Sequence, residues 1–161
     1  MIVDSHVNLH HEKFDGEVEQ IIARAKAAGV GAMLTISDRL SSTEKIRAIA
    51  ARYPAIWRSV GAHPHYAADH KNLTAETLID LAAEPKVVGI GECGLDFHYG
   101  FSPADDQERV FAAHIAATQE TGLPLIIHTR EADEMTGRML ATAMSKKTFT
   151  PLLHCYTSGL A

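Results

Sequence analysis

Short apolar runs in this chain end on metal-ligating side chains, and the runs alternate with segments of helical periodicity. Ile2-Val3-Asp4-Ser5 leads into His6, and Val60-Gly61-Ala62 into His63. Val87-Val88-Gly89-Ile90-Gly91 leads into Glu92, Leu125-Ile126-Ile127 into His128, and Leu152-Leu153 into His154. Parallel strands need long crossovers, which helices supply, so β-α alternation predicts a parallel sheet with helices outside it. Such a sheet brings the C-terminal ends of its strands to one face, where these five residues can converge. Converging imidazoles and a carboxylate make a metal site, so a metal-dependent enzyme is the leading expectation.

The alternation runs the length of the chain. Val18, Ile21, Ile22 and Ala25 mark one helical face, closed by Gly29. A second strand is predicted over 32–36. Ser41 and Glu44 have capping-box spacing for a helix through Ile46, Ile49 and Ala50. A third strand follows over 56–62. Thr74 caps a helix through Leu78, Ile79 and Leu81, and the fourth strand spans 87–91. Ser102, with Pro103 at the first helical position and Asp105 and Asp106 behind it, opens the longest helix. That helix carries Val110, Phe111, His114, Ile115 and Thr118 on one face and closes at Gly122. A fifth strand is predicted over 123–127, a helix through Met135, Met139, Leu140 and Ala143, and a sixth strand over 149–153.

Six strands and five helices fit either an open doubly wound sheet or a (β/α)8 barrel. A barrel ordinarily takes eight units and about 250 residues. At 161 residues, the expectation is one α/β domain over 1–161: a parallel (β/α) TIM-barrel type, incomplete, with about six of eight units. The sequence stops at Ser158-Gly159-Leu160-Ala161, where another helix would be starting.

The formal charge of −5 provides no basic field for nucleic acid. Contact with a polyanion would have to be local, through metal or cations such as Arg130, Lys146 and Lys147. Cys93 and Cys155 are too few for a disulfide framework or zinc ribbon. Both read as reduced, buried thiols, suited to a cytoplasmic setting. There is no 18-residue apolar stretch and no basic-then-apolar leader, so neither a membrane span nor an export signal is expected. No Gly-rich phosphate loop follows the first strand, and Ser5 and Ser158 lack a nucleophile-elbow context.

Asp4-Ser5-His6-Val7-Asn8 falls one residue short of an Asp-Ser-His-x-His pattern, whose two imidazoles would point the same way past a strand end. Asn8 supplies the weaker amide oxygen. His10 and His11 have the wrong spacing to replace it. Glycines around Glu92, in Gly89-Ile90-Gly91-Glu92-Cys93-Gly94, permit close approach of backbone and metal. Glu92 could bridge two ions about 3.5–4 Å apart, as two-metal hydrolases require. His63 and His65 either line the pocket and bind a substrate oxygen, or belong to a loop stiffened by Pro64. Arg130 either holds an anionic substrate or pairs with Glu131, Asp133 or Glu134. His114 reads as a packed core residue. His70 and His98 read as loop residues, His98 near the mouth of the site.

Several segments together resemble the TatD family of metal-dependent hydrolases, within the amidohydrolase-like barrels. They are Val3-Asp4-Ser5-His6, Val60-Gly61-Ala62-His63-Pro64-His65, Ile90-Gly91-Glu92-Cys93-Gly94-Leu95-Asp96-Phe97, Gln107 to Phe111, Leu123-Pro124-Leu125-Ile126-Ile127-His128-Thr129-Arg130-Glu131-Ala132 and His154-Cys155-Tyr156-Thr157-Ser158-Gly159. The resemblance covers the whole chain in order. It implies a TIM-like barrel, one or two divalent ions (Mg, Mn or Zn), and phosphodiester hydrolysis of the DNase or 3′-to-5′ exonuclease kind. Some relatives are linked to D-aminoacyl-tRNA deacylation.

Matched by position, the resemblance makes His6 a ligand of a first metal and Glu92 the bridging, catalytic carboxylate. It makes His128 and His154 ligands of a second metal. Asn8 stands where the family has a histidine. A late family aspartate, in a Thr-Asp segment after a seventh strand, has no counterpart within these residues. The expected substrate is nucleic acid. The competing readings are a non-catalytic metal-binding fragment that self-associates through open barrel edges, and an amidohydrolase or deacylase acting on a C–N or ester bond.

Overall fold

A computed structural model describes residues 1–157. Its strands are β1 (Ile2–Val7), β2 (Val30–Thr35), β3 (Ile56–Val60), β4 (Val87–Asp96), β5 (Leu125–Arg130) and β6 (Pro151–Leu153). Its helices are α1 (Val18–Ala27), α2 (Thr43–Arg52), α3 (Ala75–Ala82), α4 (Ala104–Thr121) and α5 (Asp133–Met144). Every strand pairs in parallel with the next, in the order β1-β2-β3-β4-β5-β6. A doubly wound sheet reverses its order part-way. This one does not, which selects the barrel-type alternative.

The sheet is curled rather than flat. Five strand spacings of about 4.8 Å would separate β1 from β6 by roughly 24 Å in a flat sheet. Yet the rings of His6, on β1, and His154, just past β6, stack with centroids 3.4 Å apart. Curling draws the C-terminal strand ends into one concave mouth, as the alternation predicts.

The core lies between the sheet and its outer helices. Val60, Ile90, Leu95, Leu125 and Ile127 pack against Leu78 of α3 and Val110, Phe111 and Ile115 of α4. A second cluster joins Met33, Ile49, Ala50 and Ile56 with Leu9. The edge residues Ile2, Val3, Leu152 and Leu153 remain exposed. No helix among the described residues is long and apolar enough to cross a membrane.

His114 is fully buried, as its place on the apolar stripe predicts. Its Nδ1 donates to the Val110 carbonyl at 2.7 Å, and its Nε2 accepts the Ala62 N–H at 3.0 Å. The neutral ring thereby fixes the backbone one residue before His63. Burial lowers its pKa to about 4 from the usual 6.5. A depressed histidine pKa stabilises the fold fully above the unfolded value and loses that contribution as pH falls through the folded one. Unfolding free energy should therefore drop between pH 6.5 and 4, with His114 contributing on the order of 3 kcal/mol. Urea unfolding across that range checks this: the His114→Leu variant should be less stable at neutral pH and show a flatter decline. An equally steep decline in the variant would assign the acid sensitivity elsewhere.

Local details differ from expectation. Strand β4 does not stop near Glu92 but continues to Asp96, because a register irregularity between Ile90 and Cys93 absorbs the bend before pairing with β5 resumes. Ser41 lies in a 3-10 turn, Leu40–Ser42, and Ser42 makes no side-chain cap bond to α2. Thr74 does cap α3, accepting the Thr77 N–H. Pro103 is the residue before α4, and the Ser102 hydroxyl instead donates to the His65 carbonyl. Cys93 is buried, but Cys155 is exposed, contrary to expectation, since it lies past the uncovered edge strand β6. The helix start expected at Ser158 and the Ser158-Gly159 end of the resemblance lie outside the described residues.

Candidate metal centre

Glu92 sits at the centre of the mouth, 7% exposed. Its backbone N–H is held by the Ser37 carbonyl just past β2. One carboxylate oxygen, Oε2, lies 3.1 Å from His6 Nε2. The other, Oε1, lies 3.5 Å from His128 Nδ1 and 3.8 Å from His63 Nε2. The two oxygens thus face different histidines, the arrangement a bridging carboxylate needs.

Ligand-type atoms of His6, Glu92 and His154 lie within 4.8 Å of one another, and so do those of His63, His65 and His128. Tetrahedral ligation at about 2.0–2.2 Å spaces donor atoms about 3.3–3.6 Å apart. The separations around Glu92 bracket that spacing, so the donor set fits a divalent cation in both chemistry and distance. His154 stands beside His6 rather than beside His128.

Hydrogen bonding separates the histidines by role. His128 Nε2 lies 2.9 Å from Asp96 Oδ2. With Nε2 donating there, loss of the Nδ1 proton on metal binding would turn a lone pair toward Glu92, the carboxylate–histidine relay common behind metal ligands. His65 Nε2 meets the same oxygen at 2.8 Å. His63 differs: its Nδ1 accepts the His65 N–H at 3.2 Å. The neutral ring then carries its proton on Nε2, toward Glu92, where it can donate but not ligate. The second histidine trio is for this reason a weaker cation cage than its distances suggest.

The electrostatics agree. Burial opposes ionisation of Glu92, but hydrogen bonds from His128 and His6 outweigh it and hold the carboxyl well below the usual carboxylate range. Burial lowers the pKa of His63 to about 4, with His128 and His65 adding to it against Glu92 and Asp96. His128 is raised, because Glu92 and Asp96 overcome its burial. His154 is lowered by burial and by His6 beside it. Asp96 is lowered to about 2, the hydrogen bonds from His65, the Tyr99 backbone and His128 outweighing burial.

The remaining candidates are dispersed. Asn8 is exposed in the turn after β1, its carbonyl accepting the His11 N–H. His10 is buried against Asp38, 3.0 Å away, and His11 caps a 3-10 turn. His70 bridges the Tyr66 carbonyl and the Leu40 N–H. Arg130 donates to the Tyr99 hydroxyl at 3.0 Å. His98 pairs with Glu131. Asp96 was missed as a site residue. The period-2 alternation of Glu92, Gly94 and Asp96 carries the signal, since it puts both carboxylates on one strand face.

Residues 3–161 match the family described as TatD related DNase. The chain belongs to the TatD family. It is 38% identical over 154 residues to the 3′-5′ ssDNA/RNA exonuclease TatD of Escherichia fergusonii, covering 96% of this chain and 59% of that protein. The corresponding TatD exonuclease of Escherichia coli is 35% identical over 154 residues, with the same coverage. The chain therefore spans about three-fifths of the length of these TatD relatives. A crystal structure of the TatD homolog YJJV from Escherichia coli superposes with a TM-score of 0.87 at 23% identity, covering 98% of this chain and 61% of that one. A TatD family hydrolase from Entamoeba histolytica gives 0.86 at 21%, covering 98% and 58%. Both are likenesses of fold and agree with the barrel-type topology.

Proposed function

We propose that this chain carries a TatD-type metal-dependent hydrolase site acting on phosphodiester bonds of single-stranded DNA or RNA. The observation that carries the reading is Glu92, a buried carboxylate whose two oxygens face separate imidazole groups. The names of the TatD relatives supply the substrate class.

Under this proposal Glu92, His6 and His154 hold one cation, and Glu92 with His128 Nδ1 contributes to a second. Magnesium, manganese or zinc suits the donor set. When bound, such ions supply Lewis-acid stabilisation of charge on the phosphoryl and leaving oxygens. Asp96 fixes the His128 ring by taking its Nε2 proton. Neutral His63 offers an N–H donor that orients a phosphoryl oxygen, and His65 and Arg130 line the same approach. A single domain in a cytoplasmic setting, with reduced cysteines, completes the proposal.

By the resemblance Asn8 stands at the position of a family histidine on the His6 side, although it is exposed here. Asn8→His should strengthen binding there and raise the manganese or zinc stoichiometry at saturation. Equal stoichiometry in variant and parent would place residue 8 outside the pocket.

We also propose that the 161-residue polypeptide pairs with a second copy through β1 or β6. Among the described residues both are edge strands with exposed apolar side chains, and unpaired edge backbone favours strand addition. Light scattering beside a metal-supplemented assay on a single-stranded oligonucleotide tests both parts. The expected result is a self-associating protein with slow hydrolysis that Glu92→Ala abolishes. Hydrolysis unchanged in Glu92→Ala would remove the hydrolase reading, and a stable monomer would remove the edge-pairing reading.

A further inference from the structure

The loop after β4 carries aromatic side chains that the metal centre does not use. Phe101 is 63% exposed and Tyr99 48%. Their rings are parallel within 5°, with centroids 5.3 Å apart. The loop is anchored on the Tyr99 side. Asp96 Oδ1 accepts the N–H groups of His98 and Tyr99, each at 3.1 Å, while its other oxygen takes His65 and His128. One carboxylate therefore ties the loop to the metal centre. The His65 ring meets Tyr99 at 5.3 Å and Phe101 at 4.8 Å, both edge-on. The Arg130 guanidinium lies 4.7 Å from the Tyr99 centroid. The nearby His98 and Glu131 pair with each other.

We infer that Tyr99 and Phe101 form a stacking platform for an unpaired base of single-stranded nucleic acid, beside the reacting phosphate. Every base has a π face, so parallel rings bind strands with little sequence preference. The chain's net charge of −5 supplies no general basic field, so stacking is a natural source of affinity away from the metals. Arg130 adds a cation beside Tyr99 suited to the flanking phosphate. Bases inside a duplex are already stacked on their neighbours and cannot reach the platform. It consequently selects single strands or frayed ends. The inference rests on the hydrolase reading for the position of the scissile bond, but not for the stacking itself.

The test is fluorescence anisotropy with a labelled oligothymidylate and an abasic strand of equal length. Both are capped at the 3′ end with phosphorothioates and measured in magnesium buffer. The parent should bind the base-containing strand about five- to a hundredfold more tightly than the abasic one. Tyr99→Ala and Phe101→Ala should each narrow that gap, and the double variant should close it. Phe101→Leu, which keeps apolar bulk at an exposed position, should narrow it too, while Phe101→Trp should preserve it. Equal binding of both strands by the parent, or a gap that survives the double variant, would overturn the platform. Cleavage of an uncapped strand is read separately. A gap without cleavage would support stacking and count against the hydrolase reading, whereas cleavage without a gap would do the reverse.

Discussion

Glu92→Ala is expected to abolish divalent-metal binding to this chain, not merely to halve its stoichiometry. Both carboxylate oxygens are engaged, one toward His6 and the other toward His128 and His63. Removing the side chain takes an anion from each proposed cation at once. It also leaves His6, His63 and His154 without the carboxylate beside them, which makes that part of the cavity less hospitable to a cation. Breaking a buried charge pair commonly costs about 3–5 kcal/mol, or roughly two to four decades in affinity. Single-histidine changes should cost less and in a definite order. His6 joins Glu92 and His154 in the fuller ligand set, whereas His128 contributes to the second, so His6→Ala should weaken binding more than His128→Ala. Calorimetric titration with manganese or zinc reads all three variants. Full binding by Glu92→Ala, or the reverse order of the histidine variants, would contradict the ligand assignment.

Gly94→Ala should be the most damaging small substitution near the site. Gly94 has φ +130, and a Cβ there would fall 2.0 Å from the carbonyl oxygen of His128. That oxygen belongs to the backbone of β5, so no side chain can swing aside. Gly94 and His128 are also register partners in the β4–β5 ladder. Relief requires moving one strand away from the other and taking the His128 ring with it. Backbone strain and overpacking each cost about 1–3 kcal/mol, so a loss of roughly 3 kcal/mol or more is expected. For a domain of this size that lowers Tm by about 10 °C. Metal affinity should fall alongside. Gly137→Ala, in α5 with open space around the new methyl group, should be neutral or slightly stabilising. Thermal unfolding of the two variants checks the contrast, and a Gly94→Ala protein as stable as its parent would show that the two strands are not held as closely as described.

The strand order and the gathering of His6, His63, Glu92, His128 and His154 were legible because each follows a short apolar run. A parallel sheet turns that sequence position into a place on one face. The barrel expectation is borne out by the unreversed strand order; it drew on the repeated units and the family resemblance, since the β-α alternation by itself is shared with an open sheet. The continuation of β4 to Asp96 was hidden because glycines beside a carboxylate look like a strand end, whereas here they permit a bend and a tight approach to β5. That misreading concealed Asp96, although its spacing from Glu92 put it on the same face. The contact of Arg130 with the Tyr99 hydroxyl was not legible, because the two residues lie far apart in the chain. Burial of Cys155 was inferred from its place at a strand end beside a proposed ligand, and among the described residues no strand beyond β6 covers it.

Anomalous diffraction from a manganese- or zinc-soaked crystal tests the central claim most directly. The account predicts density within about 2.0–2.3 Å of a Glu92 carboxylate oxygen, with His6 and His154 completing one position and His128 Nδ1 the other. His63 should stand back from both as a hydrogen-bond donor. Density confined to surface carboxylates, with the Glu92 mouth empty at saturating metal, would contradict it.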